Sequence, residues 1–281
     1  MPATPRRQQP TKNERRDHAR ELARQEREHE KRRTRRAKLF MQLGAGLAVI
    51  LIGASVALFI LGSRSTSGSA PVNMADNGIV FTGKAGAAVP TLTTEHPRAS
   101  VLPPTEKSGD GVAHITTYID WSCPICKTFE SSYATTIQQM VASGEATLEV
   151  HPVAILDKSF LGTRYSSRAA NAAACMANYD PSTFLAAQTA FYASQPTEGT
   201  SGLTNDQIKK VLVSAGVTDS KVASCVDDEQ FKSWVTATTA HTSATAALGG
   251  TSGFGTPTVL VNGKKWDNAS DFTSFVASAT K

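Results

Sequence analysis

The chain has 281 residues, 40 % of them hydrophobic and 19 % charged, with a formal net charge of +5. That charge is unevenly placed: residues 1–38 hold 14 Lys+Arg against 6 Asp+Glu, a net of +8, which leaves −3 for residues 39–281. A basic nucleic-acid-binding domain is therefore excluded, and there is length enough beyond the tail for one domain with a full core.

The tail, 1–38, is Arg/Glu-rich and nearly free of apolar residues, so it cannot bury a core and is expected as disordered chain or solvated helix. No aromatic residues are interleaved to stack on bases, and no nucleic-acid partner is expected. Leu39 to Leu61 is an uncharged, mostly apolar run of 23 residues, long enough for a helix to cross a bilayer. Gly44-x-x-x-Ala48 and Gly53-x-x-x-Ala57 within it would let such a helix pack closely on another. With the basic tail before it, the positive-inside rule predicts a single-pass anchor in the cell membrane, 1–38 cytoplasmic and the rest outside. A cleaved signal peptide ending near Gly68-Ser69-Ala70 is the alternative, but an apolar signal core usually spans only about 7–15 residues. Residues 62–77, rich in Ser, Gly and Thr at their start, are expected as a flexible spacer.

The domain is expected over 78–281. Gly78 to Phe81 reads as a short strand and Val112 to Ile119, largely alternating, as a firm one. Asp120-Trp121-Ser122-Cys123-Pro124-Ile125-Cys126-Lys127 follows directly. A strand delivering Cys123 to the first turn of a helix changes its chemistry, because free backbone N–H groups and the positive helix end stabilise a thiolate there. A free thiol ionises near pH 8.5, whereas one at a helix start can do so at roughly 3.5–7.5. Cys126 lies one turn on, placed to attack a mixed disulfide formed by Cys123, and Pro124 suits a first helical position that needs no N–H. Half of a zinc site is the competing reading of such a pair, but four ligands are needed and no partner pair stands at ligand spacing, so no metal is expected. Asp120 is open to two readings: a proton acceptor acting through a water when Cys126 attacks, or a turn and cap residue.

A helix is predicted from Lys127 to about Ala142, a strand from Ala146 to Leu156, and then an all-helical block at about 160–250. Within the block, Arg164 to Asn178, Ser182 to Ser194 and Asn205 to Ala215 read as separate helices, with one or two more between Asp219 and Leu248. His114 and His151 fall in strands and read as satisfied structural residues. Cys175 and Cys225 both fall in the helical block. Outside a membrane, an even cysteine count favours a structural disulfide between them, worth roughly 4 kcal/mol in the chain-entropy model; two buried thiols are the alternative. Gly255-Thr256-Pro257-Thr-Val-Leu-Val-Asn262-Gly263 then reads as a strand with proline at its first position, entering a hairpin, and a last helix runs from about Ser270 to Ala279.

Cys123-Pro124-Ile125-Cys126 after a strand, with Thr256-Pro257 before the closing hairpin, resembles the thioredoxin-fold thiol–disulfide oxidoreductases, in particular the membrane-anchored DsbA-like group of bacteria. The resemblance covers the chain beyond the spacer. It implies an α/β fold: a thioredoxin core with a helical insertion, preceded by one transmembrane helix. It further implies a cis Thr256–Pro257 bond beside the active-site sulfurs, with Thr256 and Pro257 holding an extended substrate segment. Cys123 and Cys126 would be the catalytic pair, introducing disulfides into exported proteins with free thiols, without a cofactor. A quinone-linked membrane partner, DsbB-like or vitamin K epoxide reductase-like, would reoxidise it. Ile125 stands where the enteric DsbA has a thiolate-stabilising histidine, so the redox potential is not implied. Two rival functions remain: a membrane-tethered reductase, for example in cytochrome maturation, and a tethered chaperone or binding module whose cysteines only staple the fold.

Overall fold

The computed structural model describes residues 70–92, 111–249 and 253–280. The alternating run of the sequence becomes strand β3, Ala113–Ile119, at the centre of a six-stranded sheet. It pairs in parallel with β4, Ala146–Pro152, and antiparallel with β5, Thr258–Val261. β1, Ile79–Lys84, lies antiparallel on the far side of β4, and β2, Ala87–Pro90, closes that edge. β6, Lys264–Lys265, closes the other, giving the order β2-β1-β4-β3-β5-β6. Successive strand residues point to opposite faces. Ala113, Ile115 and Ile119 thus join Leu148, Val150, Val259 and Val261 in the main core, while Tyr118 and Leu260 form a second cluster with Leu248.

A parallel pair needs a crossover, which helix α1, Pro124–Ser143, supplies. Phe129, Ile137 and Val141 form its buried stripe. It stops at Gly144, whose φ of 85° lets its N–H return to the Val141 carbonyl at 3.0 Å. On β1, a side chain at Gly83 would collide with that same carbonyl, so glycine is what lets the strand approach the helix end.

After β4 the chain leaves the sheet for the helical insertion: α2, Tyr165–Tyr179; α3, Phe184–Ala193; α4, Asn205–Ser214; α5, Ser220–Asp227; α6, Lys232–Ala244; and α7, Ala246–Gly249. Eleven residues of α2 are buried, six of them alanines, so it is the insertion's central helix and its small side chains let neighbours close in from several sides. α4 starts on a capping box between Thr204 and Gln207. Helix α8, Phe272–Ala279, ends the fold.

Several expectations shift. The strand expected to reach Leu156 stops at Pro152, because the Ile155 and Leu156 N–H groups are taken by the Asp120 carboxylate rather than by a sheet neighbour. The stretch after Asp219 gives three helices, and edge strand β2 was not anticipated. The spacer expected over 62–77 is too long. Within it, Met74 is fully buried, Val72 N–H donates to Asn178 Oδ1, Asn73 Nδ2 to the Ala177 carbonyl, and Trp234 Nε1 to Asn77 Oδ1. Met74, with Pro71 buried and Ala70 packed against the core, docks this segment beside its two asparagines, which average composition conceals. The tail 1–38 and the run 39–61 lie outside the described residues, among which no helix is long and apolar enough to cross a membrane.

Candidate active site

β3 ends at Ile119, and four residues later Cys123 is the N-cap of α1 in an extended conformation, with Pro124 next. Its own N–H donates to the Asp120 carbonyl at 2.9 Å, closing the turn. Because Thr258 of β5 is paired with Tyr118 of β3, the residues just before β5 fall beside this turn. Thr256–Pro257, a cis peptide, sits there, and Cys123 Sγ donates to the Thr256 carbonyl at 3.5 Å. Thr256 Oγ1 is buried with no other partner, free to donate to a Cys123 thiolate.

Both cysteines are reduced. Cys126 is wholly buried; Cys123 keeps 5 % of its surface, and Ile125 between them is 63 % exposed. Thr256 and Gln195 reach Cys123 from segments distant in the chain. The two thiols part in acidity. A hydrogen bond from Cys126 is the largest influence on Cys123; burial opposes it, and Thr256 with the Cys126 and Ile125 N–H groups assists, bringing Cys123 down to about 6. Burial first, then the neighbouring Cys123, pushes Cys126 well above the ordinary thiol range. The proton therefore rests on Cys126 and the charge on Cys123.

Asp120 is fully buried, and burial pushes its carboxyl above the ordinary pKa range against several hydrogen bonds that pull it down. One oxygen accepts from Ser122 N–H at 2.9 Å and Ser122 Oγ at 2.6 Å. The other accepts from Ile155 N–H at 2.9 Å, Leu156 N–H at 3.2 Å and Ser166 Oγ at 2.6 Å. A carboxylate offers about four lone-pair positions, and three of these donors are main-chain groups that cannot turn away. The expected role of proton acceptor through a water finds no free lone pair. Asp120 instead pins the redox turn to the loop after β4 and to the start of α2.

Three polar residues that the sequence did not single out approach the same turn from the insertion. Gln188 Oε1 accepts from Trp121 Nε1 at 3.3 Å, while its Nε2 donates to both oxygens of Glu130 at 3.1 Å. Tyr192 Oη donates to the Asp120 carbonyl at 3.4 Å. Gln195 Nε2 donates to the Trp121 carbonyl at 3.1 Å and the Cys123 carbonyl at 3.0 Å. Glu130 stands one turn beyond Cys126 on the same face of α1, and burial pushes its pKa up despite the Gln188 bond. The four-residue spacing from Cys126 could have marked Glu130; nothing local marks the glutamines.

Cys175 of α2 and Cys225 of α5 form a disulfide, with Cα atoms 5.9 Å apart. Asn171 lies against it, its Nδ2 donating to the Cys225 carbonyl at 3.4 Å and its Oδ1 accepting from Phe231 N–H at 2.8 Å. Of the strand histidines, His114 Nδ1 bonds Thr147 Oγ1 at 2.8 Å and His151 Nε2 lies 3.1 Å from Glu149 Oε1.

A family profile described as thioredoxin matches residues 109–278, more than half of the chain. No curated protein matches it. Among solved structures, the chain is similar to reduced DsbA from Mycobacterium tuberculosis, at 26 % identity over 72 % of this chain and 90 % of that one, with a TM-score of 0.54. It is also similar to the reduced disulfide bond oxidoreductase DsbG of Mycobacterium tuberculosis, at 27 % identity over 71 % and 84 % with a TM-score of 0.51. BdbD from Bacillus subtilis, at 19 % identity over 75 % and 97 % with a TM-score of 0.53, shares the fold.

Proposed function

The chain belongs to the thioredoxin family as a DsbA-like thiol–disulfide oxidoreductase, and we propose that it introduces disulfides into exported proteins through Cys123 and Cys126. The observation that carries this reading is the opposed acidity of the two thiols, Cys123 brought down to about 6 and Cys126 raised, beside Thr256–Pro257.

In the oxidised enzyme a substrate thiolate attacks Cys123 Sγ. The Cys123–Cys126 bond breaks, a substrate–Cys123 bond forms, and Cys126 leaves with the electron pair and takes up a proton. A second substrate thiolate then attacks the substrate sulfur of the mixed disulfide and Cys123 leaves as thiolate. The substrate gains a disulfide and the enzyme holds both electrons. Thr256 and Pro257 hold the substrate segment extended beside Cys123. Stabilising the Cys123 thiolate stabilises the reduced enzyme, which makes its disulfide the stronger oxidant.

The site works outside the cell membrane, tethered by the run 39–61 with residues 1–38 in the cytoplasm. The uncharged run behind a basic tail supports that placement. A quinone-linked membrane partner returns the enzyme to its disulfide. The deciding experiment is the redox potential of the Cys123–Cys126 pair, set against oxidation of a reduced peptide. A value between about −180 and −120 mV is expected, and one near −270 mV, the range of thioredoxin, would turn the reading into a reductase. For the tether, the protein should stay in membranes through an alkaline wash at full-length mass; a soluble form beginning near Pro71 would refute it.

A further inference from the structure

Gln188, Tyr192 and Gln195 follow one another at intervals of four and three residues, so α3 and the turn beyond it present them on one stripe. All three reach the redox turn, at Trp121, Asp120 and Trp121–Cys123 respectively. Residues 120–123 lie between a strand and a helix, so their carbonyls have no complete ladder to enter and need partners elsewhere. The Asp120 carbonyl takes Cys123 N–H and Tyr192 Oη. The Cys123 carbonyl takes Lys127 N–H at 3.0 Å, as the helix requires, and Gln195. The Trp121 carbonyl is held by Gln195.

One primary amide has two N–H donors, and Gln195 spends both on carbonyls that flank the Ser122 residue. Bridging them fixes the spacing of these carbonyls and resists rotation of the peptide between Ser122 and Cys123. That peptide helps set where the Cys123 side chain points, because the N-cap side chain makes no capping hydrogen bond within α1 and its bond to the Thr256 carbonyl is long, at 3.5 Å. Pro196, next in the chain, disfavours a helical conformation at Gln195 and so helps end the helical run there.

We propose that Gln195 is a positioning residue of the redox centre, its side-chain amide clamping the Trp121 and Cys123 carbonyls so that Cys123 Sγ stays aimed at the first-turn N–H groups of α1. The insertion thereby does more than cover the core; it sets the geometry on which the thiolate depends. The inference rests on Cys123 being the reactive thiol.

The test uses the reduced full-length protein in detergent, reading Cys123 acidity from the pH dependence of alkylation located by mass spectrometry. Gln195→Met keeps the length of the side chain and removes both donors. Its Cys123 should titrate about half to one pH unit higher than in the native chain, and its alkylation rate at pH 6 should fall about two- to fivefold, since fewer N–H groups then meet the sulfur. A purely structural Gln195 would lower the melting temperature and leave that titration in place; an unshifted titration in folded Gln195→Met overturns the proposal. Should Gln195→Met not fold, Gln195→Asn decides: its shorter amide reaches at most one carbonyl, so a smaller upward shift supports the clamp and a native titration overturns it. A native chain with no thiol titrating near 6 would sink the nucleophile assignment and this inference together, whereas a normal native titration unchanged in both variants sinks the clamp alone.

Discussion

The two cysteine pairs stand in opposite situations within one domain. Cys123 opens α1, where the first N–H groups have no helical partner and the positive end of the dipole favours an anion. Cys175 lies inside α2 and Cys225 in the second half of α5, where N–H groups are committed to the helix and the nearer dipole end disfavours a thiolate. Both are buried between helices and bonded to each other across a sequence separation of 50. The first pair is unbonded, with Cys123 beside Thr256; the second is bonded and enclosed. The same element thus becomes a reagent at a helix start and a staple in a helix interior.

The largest test of that contrast is removal of each thiol. Cys123→Ser should lower peptide oxidation by at least about a thousandfold, because no other group can carry the mixed disulfide. Cys126→Ala should accumulate mixed disulfides with substrate on non-reducing gels, and Cys123→Ser none; equal trapping by both would break the assignment.

Next comes the staple. A Cys175→Ser, Cys225→Ser double variant should lose about 2–5 kcal/mol of stability, seen as a lower melting temperature. While folded it should oxidise peptide at near-native rates. Lost turnover with an unchanged melting temperature would make the second pair part of an electron relay.

The pH dependence sharpens the comparison, since only the first pair titrates. Folding lowers Cys123 to about 6 from an unfolded value near 8.5. The reduced protein then gains stability that is complete above the unfolded value and is lost as pH falls through about 6. Between these limits the reduced form should weaken relative to the oxidised one by about 1.4 kcal/mol per pH unit on acidification. Raised Cys126 acts only at higher pH, in the opposite sense. Urea unfolding of both redox forms from pH 5 to 8 reads this directly, and parallel curves would mean that the thiolate is not stabilised.

A smaller effect is expected at the pin beneath the turn. Asp120→Asn sets an amide NH₂ against main-chain donors and should cost about 1–3 kcal/mol. It should do so in both redox forms, unlike the pH effect; an unchanged denaturation midpoint would remove Asp120 from its anchoring role.

Much of this site could be read in the chain because its signals are local. Cys123 to Cys126 follow an alternating strand directly, Pro124 marks the helix start, and Thr256-Pro257 precedes an apolar run closed by Asn262-Gly263. Thr204 with Gln207 announces α4 in the same way. By contrast, the partners of Asp120 come from residues 155, 156 and 166, and those of the Trp121 and Cys123 carbonyls from residue 195. No pattern of spacing points to them, since each contact joins segments separated by whole elements. Met74 was hidden for a similar reason: isolated apolar residues give no period, and its segment is held by bonds to Ala177, Asn178 and Trp234 of the insertion.

By itself, the sequence determined the central strands and most helices in order, the helix-start placement of Cys123 and the uncharged run behind a basic tail. These follow from hydrophobic period, proline geometry and charge, each acting over a few neighbouring residues. Only the tertiary structure showed that the Asp120 carboxylate is taken by donors from residues 122, 155, 156 and 166, and that a glutamine of the insertion holds the carbonyl of the redox cysteine. Those outcomes depend on which distant groups pair once the insertion packs on the core, and a hydrogen bond within about 3 Å is settled by that packing rather than by distance along the chain.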